Sequence, residues 1–211
     1  MSFDTLAPHY RWMEWLLAGD KLQRCRTASL DSIPPPRQVL IYGEGNGRFL
    51  TELCRRFPAA RVTCVDASAR MIDLARSRLA RNSLPDDQVE FIHADALTWA
   101  PPAGCFDLVV THFFLDCFRQ DQVAQLVLII ARAAASRANW LIADFKEADR
   151  GLKRWRSQVI LAVMYVFFRQ ATRLPASGLT APEAYIEGNG FRRVRRLEAD
   201  LGLLYSDWWQ R

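Results

Sequence analysis

The run Val39-Leu40-Ile41-Tyr42-Gly43-Glu44-Gly45-Asn46-Gly47 restricts the fold more than any other part of the chain. Four mostly apolar residues lead into alternating glycines, and a helix-like segment from Arg48 to Phe57 comes next. A buried strand, a tight glycine bend and a helix whose amino terminus faces a ligand are written in this way. Glycine suits the bend because it reaches positive φ and lets a ligand approach closer than a Cβ permits. Asp66 closes a second strand, Arg61 to Val65, nineteen residues beyond Gly47. In dinucleotide-type folds an acid at about that distance grips ribose hydroxyls.

Further along, short apolar runs alternate with longer helical periods. Ser68 is placed to cap a helix whose apolar stripe is Met71, Ile72, Ala75 and Leu79. Val89 to Ile92, Phe106 to Thr111 and Trp140 to Lys146 read as buried strands, with Val123 to Ala135 as an apolar helix that Asp121 can cap. Arg192 to Leu197 and Leu201 to Trp209 complete the strand-like segments.

Taken together, Gly43-x-Gly45-x-Gly47, Val65-Asp66-Ala67-Ser68 with Met71, Phe91-Ile92-His93-Ala94-Asp95-Ala96, and Phe106 to His112 resemble the class I S-adenosylmethionine (SAM)-dependent methyltransferases. The resemblance covers roughly Val39 to Lys146. It implies a doubly wound α/β fold: a seven-stranded, mostly parallel sheet with helices on both faces and a helical cap over residues 1–36. Residues 37–211 would form the SAM-binding domain, with 150–190 a substrate-side insertion. It implies SAM as cofactor and S-adenosylhomocysteine as product. The cofactor residues it implies are Gly43, Glu44, Gly45, Asp66, Ala67, Met71, Asp95, Ala96, Thr111 and Tyr10. In this reading Asp66 takes the ribose, Asp95 the adenine amino group and Met71 the adenine face. Ile41 stands where the family's first motif often has an acid, and Glu44 is the natural substitute as partner for the ammonium of SAM. Tyr10, in Phe3-Asp4-x-Leu6-Ala7-x-x-Tyr10, would lie near the methionine tail. No glycine completes the G-x-G-x-x-G of nicotinamide enzymes after Gly47. The fourth strand ends in Thr111-His112-Phe113-Phe114, unlike the Asn/Asp-Pro-Pro-aromatic run of amino-methylating enzymes that act on DNA bases, so no nucleic-acid partner is expected.

The net charge of +5 comes almost entirely from arginine and is read as a solvated surface. Five scattered cysteines without a C-x-x-C pair argue for reduced thiols and a cytoplasmic location, and the amino terminus does not read as a secretory signal. The three histidines join no metal-spaced cluster, so no metal is expected. Gly151 to Leu174 carries ten apolar residues, Val159 to Phe168, between arginines. That is too short to span a bilayer, which takes about 20 residues. A buried helix with a pocket wall, a dimer face and a basic helix on a membrane all stay open, and the resemblance favours the first.

Methyl transfer from a sulfonium is an in-line displacement, in which alignment alone supplies roughly 7–11 kcal/mol. A catalytic dyad is therefore not required. If a base is used, the candidates are His112, then Asp116, then Tyr10. The aromatic rim points to a small, aromatic or apolar acceptor. A lipid or quinone acceptor at a membrane surface is the first alternative. A non-catalytic SAM- or nucleotide-binding protein, or an NAD-type Rossmann enzyme, is the second.

Overall fold

The computed structural model describes residues 20–85, 87–172 and 178–211, with side chains omitted for 167–172. Its elements are α1 (Lys21–Thr27), β1 (Gln38–Tyr42), α2 (Arg48–Arg56), β2 (Arg61–Asp66), α3 (Ala69–Arg81), β3 (Val89–His93), β4 (Phe106–His112), α4 (Gln120–Ala133), β5 (Ala134–Phe145), α5 (Gly151–Thr172), α6 (Glu183–Gly188), β6 (Arg192–Ala199) and β7 (Leu204–Gln210). Single 3₁₀ turns, Leu115–Cys117 and Asp200–Gly202, precede α4 and β7. Strand order in the seven-stranded sheet is β3-β2-β1-β4-β5-β7-β6. The first five are parallel, and β7 runs antiparallel to both β5 and β6. The order of strands reverses between β1 and β4, which is where open α/β sheets leave a crevice at their carboxyl ends.

The central strands are apolar on both sides because both faces are covered. One face buries Leu40, Tyr42, Val109, Trp140 and Trp209 under α4 and α6. The other buries Val39, Ile41, Leu108 and Val110 under α2 and α3. Next to the second layer, Leu22 and Cys25 of α1 pack on Ala143 and Leu204. Asp107 is structural: its carboxylate accepts from the N–H groups of Arg37 (2.9 Å) and Gln38 (3.1 Å) and so fixes the start of β1. At the antiparallel edge, Arg196 donates to both oxygens of buried Asp207 at 2.7 Å and to Glu183 at 2.7 Å.

Three expectations need correction. β5 starts at Ala134, six residues earlier than Trp140, because the chain leaves α4 directly into the ladder with β4, where Ala134 pairs with Phe106 before the register shifts. Asp121 does not cap α4; Arg119 occupies that position, its N–H donates to Gln122 Oε1 at 3.1 Å, and Asp121 pairs with the Arg119 guanidinium. The final strand starts at Leu204, because Asp200 and Leu201, both at positive φ, turn the chain first. Residues 1–19 of the expected cap, Tyr10 included, lie outside the described residues.

Candidate active site

Three strand ends meet at the crevice. Leaving β1, Gly43, Gly45 and Gly47 all sit at positive φ. Gly47 does so as the first cap of α2, and a Cβ there would lie 2.8 Å from the Ala75 backbone. Glycine is thus what lets α2 and α3 come together behind the bend. Asp66, at the end of β2, holds the bend from the side. Its carboxylate accepts from Gly45 N–H at 3.4 Å and from Ser68 N–H at 2.9 Å. The Ser68 hydroxyl in turn accepts from Met71 N–H at 3.2 Å and starts α3, as the sequence leads one to expect. Asp66 is paired with His93 across β2 and β3, and Ala94 N–H donates to the Asp66 carbonyl at 3.1 Å. The next residue is Asp95. Both acids therefore stand on one sheet edge, beside the glycine bend.

Asp95 is exposed, and one oxygen accepts from Leu97 N–H at 2.9 Å. The other accepts no bond from the described residues. Met71 and Ala96 are buried, Ala96 in the layer beneath α4. Ala67 offers its carbonyl to His93 Nε2 at 3.1 Å.

Glu44 and Thr111 each have a partner within the fold. Glu44 Oε1 accepts from Leu50 N–H at 2.9 Å, so the carboxylate closes the first turn of α2. Burial pushes it up to about 7, against the Leu50 and Phe49 N–H groups and the charge of Arg26, which pull it down. The Thr111 side chain is fully buried and its hydroxyl accepts from Trp140 Nε1 at 2.9 Å, so any contribution to a ligand falls to its backbone. The bend also has a close neighbour: a Cβ on Gly43 would stand 2.5 Å from the Phe114 ring, which stacks on Tyr42 at 5.7 Å.

Beyond β4 the character changes. Phe113, a non-glycine at φ +53°, carries the chain out of the sheet in a conformation that side chains adopt at a cost of about 1–3 kcal/mol. Just before it, His112 is buried edge-on to Phe49 at 4.5 Å, and neither ring nitrogen has a hydrogen-bond partner among the described residues. Burial first, and the Arg26 charge second, hold its imidazole well below the usual range and hence neutral. Asp116 and Asp144 are buried side by side. Asp144 accepts from the N–H groups of Phe145 (2.8 Å) and Asp116 (3.3 Å), and Cys117 Sγ lies 3.5 Å from Asp116 Oδ1. Burial drives both carboxyls upward, Asp116 to about 6 and Asp144 well above the usual carboxylate range, the latter with the Asp116 charge as its second cause. The Tyr165 hydroxyl of α5 donates to the Asp116 carbonyl at 3.2 Å.

Sequence reading missed Arg26. It is buried on α1, its guanidinium 5.1 Å from the Phe113 ring centre, and its charge acts on both Glu44 and His112. A signal was present: Arg26 lies four residues after Leu22 and one after Cys25, on the face that α1 buries. Tyr42 was read only as part of a strand. Its buried hydroxyl has no partner among the described residues, and its ring meets Trp99 at 6.2 Å.

A family model described as a methyltransferase domain matches residues 39–148. The chain is 32% identical to a demethylmenaquinone methyltransferase of Thermus thermophilus over 71% of its own length and 66% of that protein. It is 40% identical to a trans-aconitate 2-methyltransferase of Rhodopseudomonas palustris over 43% of its length. The match spans only 34% of that relative, about a third. Among solved structures, the N-methyltransferase NodS from Bradyrhizobium japonicum, in complex with S-adenosyl-L-homocysteine, superposes over 90% of this chain and 83% of its own. The TM-score is 0.61 at 17% identity.

Proposed function

The chain belongs to the methyltransferase-domain family with the class I sheet, and on that premise we propose a SAM-dependent methyltransferase for a small aromatic or otherwise apolar acceptor. The observation that carries the cofactor half is the placing of Asp66 and Asp95 at adjacent strand ends beside three positive-φ glycines. That set fits an adenosyl group: Asp66 would take the ribose hydroxyls and the free oxygen of Asp95 the adenine amino group. Glu44 is committed to α2, whereas buried Arg26 supplies fixed positive charge beside the bend, suited to the carboxylate end of the methionine tail. When bound, SAM supplies a methyl group already activated on a sulfonium.

The chain's own part is alignment and exclusion of water, worth roughly 7–11 kcal/mol when geometry is right. Phe113, Phe114 and Phe118 come after β4, with Phe114 and Phe118 in contact at 5.0 Å and Phe113 against Phe145 at 5.0 Å. An acceptor beside them meets rings and neutral groups. A neutral His112 has a lone pair to accept a proton at one ring nitrogen, and an uncharged imidazole suits an apolar neighbour. Asp116, raised by burial to about 6, is ionised near neutral pH and takes a proton more readily there than an ordinary carboxylate.

A quinone-like acceptor is the more specific second reading, supported by the demethylmenaquinone methyltransferase relative. The test is S-adenosylhomocysteine formation from SAM across a panel of phenols, catechols, reduced naphthoquinones and small carboxylic acids. Turnover confined to the aromatic members is expected. Turnover only with the carboxylic acids contradicts the reading.

A further inference from the structure

Helix α5 has two apolar faces. Ser157, Leu161, Met164 and Tyr165 are buried, the last three packed against Leu203 and the turn after β4. On the other side Leu152 is 85% exposed, Trp155 67%, Val159 43%, Val163 63% and Val166 58%. At 3.6 residues per turn these five fall within roughly 80° of one another and run for about 21 Å. A single exposed leucine needs no explanation, but a continuous stripe of this kind marks a surface that is covered in use.

Charge says by what. No Asp or Glu occurs between Arg150 and Pro182, whereas Arg150, Lys153, Arg154 and Arg156 crowd the start of the helix. Arg154 and Arg156 reach acids on neighbouring elements, Glu147 at 3.8 Å and Asp200 at 3.1 Å. Arg150 and Lys153 have no acidic partner among the described residues. A second copy of the chain would bring to this helix the same acid-free face. An anionic lipid surface answers both features, taking the apolar stripe between acyl chains and the cations at its headgroups. Trp155 belongs to the stripe, and an indole is at home at the boundary between acyl chains and headgroups. Among the described residues no helix is long and apolar enough to cross a membrane, so α5 would lie on it.

We propose that the outer stripe of α5 docks the protein on anionic membrane. Docking does not depend on the methyl-transfer reading. One consequence rests on it: since the inner face of α5 holds the turn that carries Asp116, an apolar acceptor would leave the bilayer beside the crevice.

The test is sedimentation of the full chain with vesicles of phosphatidylcholine and phosphatidylglycerol at seven to three, against phosphatidylcholine alone. Binding to the anionic vesicles is expected, with about tenfold loss on neutral vesicles and about tenfold loss for the pair Trp155→Asp and Val163→Asp. Lys153→Glu is a milder surface variant, expected to weaken binding to the anionic vesicles by less than the pair does. Affinity for S-adenosylhomocysteine and the melting temperature should not change in either variant, which separates lost docking from lost folding or a wrong cofactor. No sedimentation with anionic vesicles, or equal sedimentation of the variants, overturns the proposal. So does a solution dimer that Val163→Asp dissociates.

Discussion

The two sides of the crevice handle charge in opposite ways. On the side of β1, β2 and β3, Asp66 and Asp95 stay partly or fully open to solvent, Asp66 held by N–H groups of the glycine bend and of its own loop and Asp95 by one of its own loop. On the side of β4 and β5, His112, Asp116 and Asp144 are buried and driven toward their neutral forms. One side can meet a polar nucleoside with charged acceptors already oriented by the backbone. The other offers rings, a neutral imidazole and carboxyls that resist ionisation, which is a poor place for a charged acceptor. On the proposed reading, cofactor and acceptor would be recognised by different physics a few residues apart, and substitutions on one side should leave the other intact.

The largest expected effect breaks the open side. Asp66→Ala should weaken S-adenosylhomocysteine binding by about 100-fold, since bonds to a charged group are worth about 1.5–3 kcal/mol each and a ribose offers two. Calorimetric titration checks it, and a change below about threefold would put the ribose elsewhere.

Asp116→Asn sharpens the closed side. A carboxyl raised from 3.8 to about 6 on folding makes the native state bind more protons than the unfolded chain. Its stabilising share is full below the unfolded pKa and is lost as pH rises through the folded one, between about 4 and 6. The variant should therefore be more stable than wild type at a pH of about 7.5, by about 1–3 kcal/mol, with the gap closing near a pH of about 4. Urea unfolding at both pH values reads this directly, and cofactor affinity should not move.

Asp95→Asn is expected to cost about tenfold in affinity for the same ligand, one charged bond being lost. Because Asn keeps an acceptor oxygen for Leu97 N–H, the melting temperature should stay within about 2 °C. The smallest effect belongs to His112→Gln: about twofold or less on S-adenosylhomocysteine affinity, with the loss confined to turnover. If cofactor affinity collapses instead, the boundary between the two sides is drawn in the wrong place.

Much of this was legible in the sequence because it rests on local rules. Alternating glycines force positive φ, Ser68 caps the helix that begins at Ala69, and strands buried on both faces show as unbroken apolar runs. Tertiary competition for single groups was not legible. Glu44 reads as a free acid in a loop, but the N–H of Leu50 lies six residues on and claims it. Thr111 reads as a strand-end hydroxyl, yet Trp140 on the neighbouring strand needs an acceptor for its indole and takes it. Arg26 reads as one of many surface arginines until α1 is laid on the sheet beside Phe113. In α5 the apolar run suggested burial. Only the packing shows that half of it faces outward.

Whether an adenosyl sulfonium or a nicotinamide dinucleotide belongs at this sheet edge is decided by titrating the unmodified chain with S-adenosylhomocysteine and NAD side by side. Saturable heat is expected with the first and none with the second at equal concentration. Preference for NAD, or no binding of S-adenosylhomocysteine by a folded sample, would contradict the proposed cofactor.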